Sequence, residues 1–107
     1  MDIPKLSEAS FKLEVLQASQ PVLVEFTAVW CQPCKALDPV VNQLAQEWDG
    51  KVKVVKVDVD DNQGLVMDFQ VMGVPTLILF VNGKPVQRLN GFQSRDRILS
   101  RLSPHIG

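Results

Sequence analysis

The chain predicts an α/β fold in which a mixed β-sheet, parallel in its first part and antiparallel at its end, is covered by helices on both faces. Two observations carry that expectation. Through the first two-thirds, strand-like and helix-like apolar patterns alternate, a βαβ order that makes neighbouring strands parallel. The last third has two β-rich runs around Asn82-Gly83 and then one more helical pattern, which reads as a hairpin with a closing helix.

Each element has its own signal. Ser7 or Ser10 is placed to cap a first helix in which Phe11, Val15 and Leu16 recur at helical spacing, and Pro21 prevents its continuation. Val22–Phe26 is apolar on both faces except at Glu25, the pattern of a strand in the middle of a sheet. A second helix carries Leu37, Val40, Val41, Leu44 and Trp48 to a stop at Asp49-Gly50, with a kink expected at Pro39. Val52–Asp58 reads as a strand, and Asp60 or Asp61 is placed to cap a short third helix carrying Leu65, Val66 and Phe69. Thr76–Val81 and Pro85–Leu89 form the hairpin, and a last helix runs roughly from Ser94 to Leu102.

A chain of 107 residues fits one domain, residues 1–107, large enough to bury roughly two-thirds of the surface its unfolded form exposes. A net charge of −1 gives no field for gathering nucleic acid or acidic membranes, so neither is an expected partner. No apolar run approaches the roughly 20 residues that span a bilayer, and Met1–Lys5 lacks the apolar core of a signal peptide. The expectation is a soluble, cytoplasmic protein. In that reducing setting a cysteine pair is more often catalytic or metal-binding than a staple.

The two cysteines sit three positions apart in Trp30-Cys31-Gln32-Pro33-Cys34-Lys35, between a strand-like and a helix-like segment. A helix start offers unpaired N–H groups and partial positive charge, which favour the thiolate that attacks disulfides. Cys31 is expected there. Cys34, one turn later, is close enough to attack a mixed disulfide formed at Cys31, so the pair can cycle between dithiol and disulfide. Zinc needs about four ligands, and beyond the two cysteines the only histidine is His105, in an expected loose tail, so no metal is assigned. Asp58–Asn62 has the look of a calcium loop, but Gln63 and Phe69 stand where its glycine and glutamate belong.

The strand, the Trp30–Lys35 segment, Gly73-Val74-Pro75-Thr76 and Asn82-Gly83, in this order, resemble the thioredoxin family across nearly the whole chain. The resemblance implies the thioredoxin fold, with Cys31 as an exposed nucleophile and Cys34 as a buried resolving thiol. It also implies that Val74-Pro75 is cis and packed against the cysteines, although X-Pro bonds are generally trans. Trp30, Gly73, Val74, Pro75, Gly91 and Phe92 would then form an apolar docking surface on which the Val74 backbone pairs with an extended substrate. Gln32 and Pro33 complete the active-site turn, Pro33 costing no hydrogen bond in a first helical turn. Trp30 as plain core and Gly91 as a turn glycine are the bland alternatives.

Glu25, six residues before Cys31 on the adjoining strand, is the candidate base for Cys34, since a desolvated carboxylate has its pKa raised toward that of a thiol's working range. Its alternative is a solvent-facing strand residue. Lys56 matches the family lysine that approaches this carboxylate and pulls its pKa back down, or else is a surface lysine between Val55 and Val57. Lys35 adds screened positive charge near the thiolate. Three positions depart from the commonest family pattern: Glu25 where aspartate is usual, Gln32 for glycine, and Thr27 for a frequent tryptophan.

The expected function is reduction of protein disulfides by a monomer that needs no bound cofactor, takes disulfide-containing target proteins as substrates and is restored by a thioredoxin reductase. Two rivals use the same cysteines: a disulfide oxidant or isomerase on this fold, and a binding module gated by the oxidation state of the pair.

Overall fold

A computed structural model describes residues 3–106. Its frame is a four-stranded sheet among the described residues, in the order β2-β1-β3-β4, built from β1 (Val22–Thr27), β2 (Lys53–Asp58), β3 (Thr76–Val81) and β4 (Lys84–Asn90). β1 is parallel to β2 and antiparallel to β3, and β3 is antiparallel to β4, the mixed sheet that the element order predicts. β1 is buried on both faces because it is central. Its alternation sends Val22, Val24 and Phe26 into one apolar layer and Leu23 into the other, with Glu25 on the Leu23 side.

The first layer packs under α1 (Glu8–Phe11) and α3 (Gln63–Asp68), and Phe11, Phe69 and Phe80 meet in it with ring centroids 5.2 to 5.7 Å apart. The second packs under α2 (Gln32–Glu47) and α4 (Arg95–Ile106), through Leu37, Val41, Leu44, Ile98 and Leu102. Helices therefore cover both faces. α2 runs through Pro39, whose missing N–H leaves the Lys35 carbonyl without its helical donor.

Four local expectations are corrected. The first helix begins as predicted behind Ser7 but widens after Phe11 into a π-helical turn over Lys12–Leu16, closed by the Gln17 N–H on the Lys12 carbonyl. The wider turn brings Phe11 and Val15 inward and leaves Leu16 at the surface. The third helix starts behind Asn62, not at Asp60 or Asp61, because Asp60 bonds the Trp30 indole and Asp61 faces solvent. Val52 precedes its strand, which begins at Lys53. The last helix continues to Ile106, so His105 lies in its final turn and not in a loose tail.

At the hairpin turn Asn82 and Gly83 both have positive φ, 53° and 77°, as a tight two-residue connection requires. A side chain at Gly83 would also collide with the Leu16 carbonyl. Pro85 is tolerated because β4 is an edge strand and its pairing shifts register there.

Asn62 joins the N-terminal helix to the loop beyond β2. Its side chain accepts from the Glu8 N–H at 3.0 Å and donates to the Asp58 carbonyl at 2.8 Å, while the Glu8 carboxylate accepts from the Gly64 N–H at 2.6 Å. Asn62 is buried, so replacing it leaves polar groups unpaired. Asn62→Ala is expected to lower stability by about 1–3 kcal/mol in denaturant titration, with the redox chemistry of the cysteines unchanged.

Candidate active site

Burial of β1 on both faces fixes the point at which the chain leaves the sheet and turns into α2. Cys31 is the N-cap of α2, with extended backbone, and its Sγ accepts a hydrogen bond from the Cys34 N–H at 3.2 Å. The helix start that the sequence predicts is therefore aimed at the Cys31 sulfur. Gln32 and Pro33 fill the first two helical positions, where Pro33 forfeits no bond. Cys31 and Cys34 are joined as a disulfide with Cα atoms 5.3 Å apart.

The exposure of Cys31 is a correction. In this oxidised state Cys31 is 3% exposed and Cys34 2%, because the bonded sulfurs lie against Ala28, Val59 and Val74. Trp30, by contrast, stands 63% exposed, which removes the reading as core. Its indole Nε1 donates to Asp60 at 2.8 Å, a contact that fixes the ring beside the disulfide.

The Val74-Pro75 bond is cis. Two hydrogen bonds position this loop: Thr76 Oγ1 donates to the Gly73 carbonyl at 2.7 Å, and the Gly91 N–H donates to the Pro75 carbonyl at 2.8 Å. Gly91, with φ of 78°, is both a turn glycine and a tie to the proline loop. Among the described residues the Val74 backbone has no hydrogen-bond partner, so it is free to pair with another chain. Pro75 is buried, while Gly73 and Phe92 face solvent. Met72, Gly73 and Val74 form a divide between two hollows, one of about 190 Å³ shared with Trp30, the other of about 650 Å³ reaching Arg88 and Asn90.

Glu25 is fully buried, and neither carboxyl oxygen has a protein hydrogen-bond partner among the described residues. Its cross-strand neighbours are Lys56 on β2 and Leu77 on β3. Burial pushes its carboxyl up from 4.5 to about 7, against the Lys56 ammonium that pulls it down and with the Asp38 carboxylate adding to the rise. Lys56 does not bond Glu25. Its Nζ lies 3.1 Å from Asp38 Oδ1 on α2, which settles against a free surface lysine. Thr27, Lys35, Asp38 and Lys56 line a cavity of about 230 Å³ that reaches Cys34.

Four residues near the cysteines escaped the sequence reading. Asp38 was legible in principle, since Cys34, Leu37, Asp38 and Val41 share one helical stripe and Asp38 is its only charge. Val29 and Met72, exposed at 68% and 95%, carry no local sign of neighbouring the site. Asp60 finds Trp30 from thirty positions away, which no periodicity reports.

A buried sulfur pair capped on a helix N-terminus beside a cis-proline loop defines a dithiol–disulfide oxidoreductase. Residues 2–104 match the thioredoxin family model. The chain is 44% identical over 99 residues to thioredoxins of Mycobacterium bovis and Mycobacterium tuberculosis, covering 92% of this chain and 85% of each relative. It is 40% identical over 106 residues to a Staphylococcus aureus thioredoxin, covering 99% of this chain and 100% of the relative. A bifunctional thioredoxin reductase/thioredoxin of Mycobacterium leprae is 42% identical over 99 residues, 92% of this chain but 22% of that protein. The chain belongs to the thioredoxin family and is a thiol-disulfide oxidoreductase.

A carboxyl that holds its proton more tightly folded than unfolded supports the fold at pH below 4.5 and loses that contribution as pH rises through about 7. Glu25→Gln, which has no charge to bury, is therefore expected to gain on wild type by about 2–3 kcal/mol between about pH 5 and about pH 8.5. Denaturant titrations of both oxidised proteins across that range check this.

Proposed function

We propose that residues 1–107 work as one unit that reduces disulfides in target proteins, with Glu25 as the proton acceptor for Cys34. The observations that carry this reading are the Cys31 sulfur on the α2 N-terminus and the buried, unpartnered Glu25 carboxyl, whose charged neighbours Asp38 and Lys56 line the cavity that reaches Cys34. In the reduced protein the Cys31 thiolate attacks a target disulfide, forming a Cys31–target S–S bond and releasing one target thiolate, which takes a proton from water. Cys34 then gives its proton to the Glu25 carboxylate and attacks Cys31 Sγ. This second bond closes the internal disulfide and releases the other target thiolate. Two electrons have passed to the target.

The target lies across Trp30, Gly73, Val74, Pro75, Gly91 and Phe92, and its extended segment pairs with the Val74 backbone. Met72 and Val29 widen the apolar surface. Lys56 moderates Glu25, and Lys35 contributes a screened positive charge near the thiolate. No cofactor is required, because the electrons reside in the sulfur pair. A thioredoxin reductase restores the dithiol, and the protein works as a monomer in the cytoplasm. Among the described residues no helix is long and apolar enough to cross a membrane.

Reduction of insulin disulfides with dithiothreitol as donor tests the assignment. Cys31→Ser is expected to abolish turnover, and Cys34→Ser to accumulate a mixed disulfide with the target, visible by mass spectrometry and reversed by added thiol. Multiple turnover with neither effect would overturn it, and tight target binding without turnover would favour the redox-gated binding module.

Thr27 replaces a large ring in the wall of the active-site loop, where it lines the cavity with Ala28, Val29 and Cys34. Coupling to an NADPH-dependent thioredoxin reductase is therefore expected to be weaker than for a thioredoxin carrying Trp here. Thr27→Trp is expected to raise kcat/KM with that reductase, and unchanged kinetics would count against the role.

A further inference from the structure

Glu25 and Lys56 are paired in register on adjacent parallel strands, and both point to the face that α2 covers. Neighbours in that position lie within reach of a direct ion pair. None forms. The Lys56 ammonium instead rests on Asp38, which sits one helical turn beyond Cys34. Glu25 is left with no hydrogen-bond donor on either oxygen among the described residues.

The surroundings of Glu25 leave few other charges to explain this. α2 brings Asp38, one turn beyond Cys34, β2 brings Lys56, β3 brings Leu77, and α4 contributes Ile98 and Leu102 to the same layer. Lys5, Lys35 and Asp58 stand on the rim of the cavity that Cys34, Asp38 and Lys56 share. Among the described residues the cation paired in register with Glu25 is thus Lys56, and the side chain that engages it is Asp38.

We propose that Asp38 is a positioning residue: it holds the Lys56 ammonium at its own carboxylate, keeps that charge off Glu25, and so sets the pH at which Glu25 takes the proton from Cys34. The inference rests on the reading of Glu25 as proton acceptor. Asp38 works through Lys56 and touches no reacting atom. Its charge also acts directly on Glu25, in the same direction, so the two effects have to be separated.

A double-mutant cycle separates them. The Glu25 carboxyl carbon is followed by ¹³C NMR against pH in the oxidised protein, a readout that requires no turnover, for wild type, Asp38→Ala, Lys56→Met and the double variant. Asp38→Ala is expected to lower the Glu25 midpoint by about one pH unit, as a released ammonium close to a carboxylate does. In the Lys56→Met background the same substitution is expected to move the midpoint by less than half as much. Asp38→Asn keeps an oxygen that accepts from Lys56, and its midpoint should fall between wild type and Asp38→Ala.

An unmoved midpoint in Asp38→Ala, or equal shifts in both backgrounds, overturns the positioning role. The pH profile of mixed-disulfide resolution distinguishes the underlying reading. If the carboxyl midpoint shifts as expected while the resolution profile of Asp38→Ala and Glu25→Gln stays that of wild type, Glu25 is not the acceptor, although Asp38 does govern it.

Discussion

The Cys34 N–H reaches back 3.2 Å to the sulfur of Cys31, and this single capping contact depends on a strand that cannot shift. β1 is held on both sides by strands and on both faces by apolar layers, so its last residue leaves the sheet at a fixed place and angle. A slip of one position would turn Glu25 toward the phenylalanine layer and move the start of α2, with Cys31 on it, relative to the proline loop. The chemistry of the pair is a property of the sheet register as much as of the cysteines.

The same strand carries the least comfortable group in the protein. A carboxyl inside an apolar layer, without a donor, opposes folding whenever it is ionised. One helix and a neighbouring strand arrange its electrostatics: Lys56 from β2 pulls toward ionisation, and Asp38 from α2 engages that lysine. The site thus keeps an ionisable carboxyl in a place where a Leu or Val would give a more stable layer.

Much of this was written in local pattern. The β1 run, apolar but for Glu25 up to Phe26, the apolar stripe of α2, and Asn82-Gly83 between two β-rich runs each have one structural solution, and the sheet follows from their order. The cysteines were legible because a three-residue spacing at a strand-to-helix junction has a chemical meaning. What escaped depends on distant partners. Asp60 had the makings of a cap until the Trp30 indole claimed it, and the bond from Asn62 to Glu8 spans 54 positions. The π-helical turn after Phe11 lies beyond any spacing rule, since it is fixed by where Phe11 and Val15 must land on the sheet. The cis bond at Pro75 came from resemblance and not from physics, which favours trans.

Both margins of the sheet are closed to strangers. Along β2 the N-terminal segment lays itself down as a short guard rail, with the Leu6 N–H on the Lys56 carbonyl and the Lys56 N–H on the Pro4 carbonyl. Along β4, Pro85 lacks a donor and Lys84 brings a charge that a stacking neighbour would have to desolvate. Aggregation through edge-to-edge stacking is thereby discouraged, while the Val74 backbone in the proline loop has no hydrogen-bond partner among the described residues. The guarded margins thus leave this unpaired backbone lying where the sulfur pair packs, against Val74.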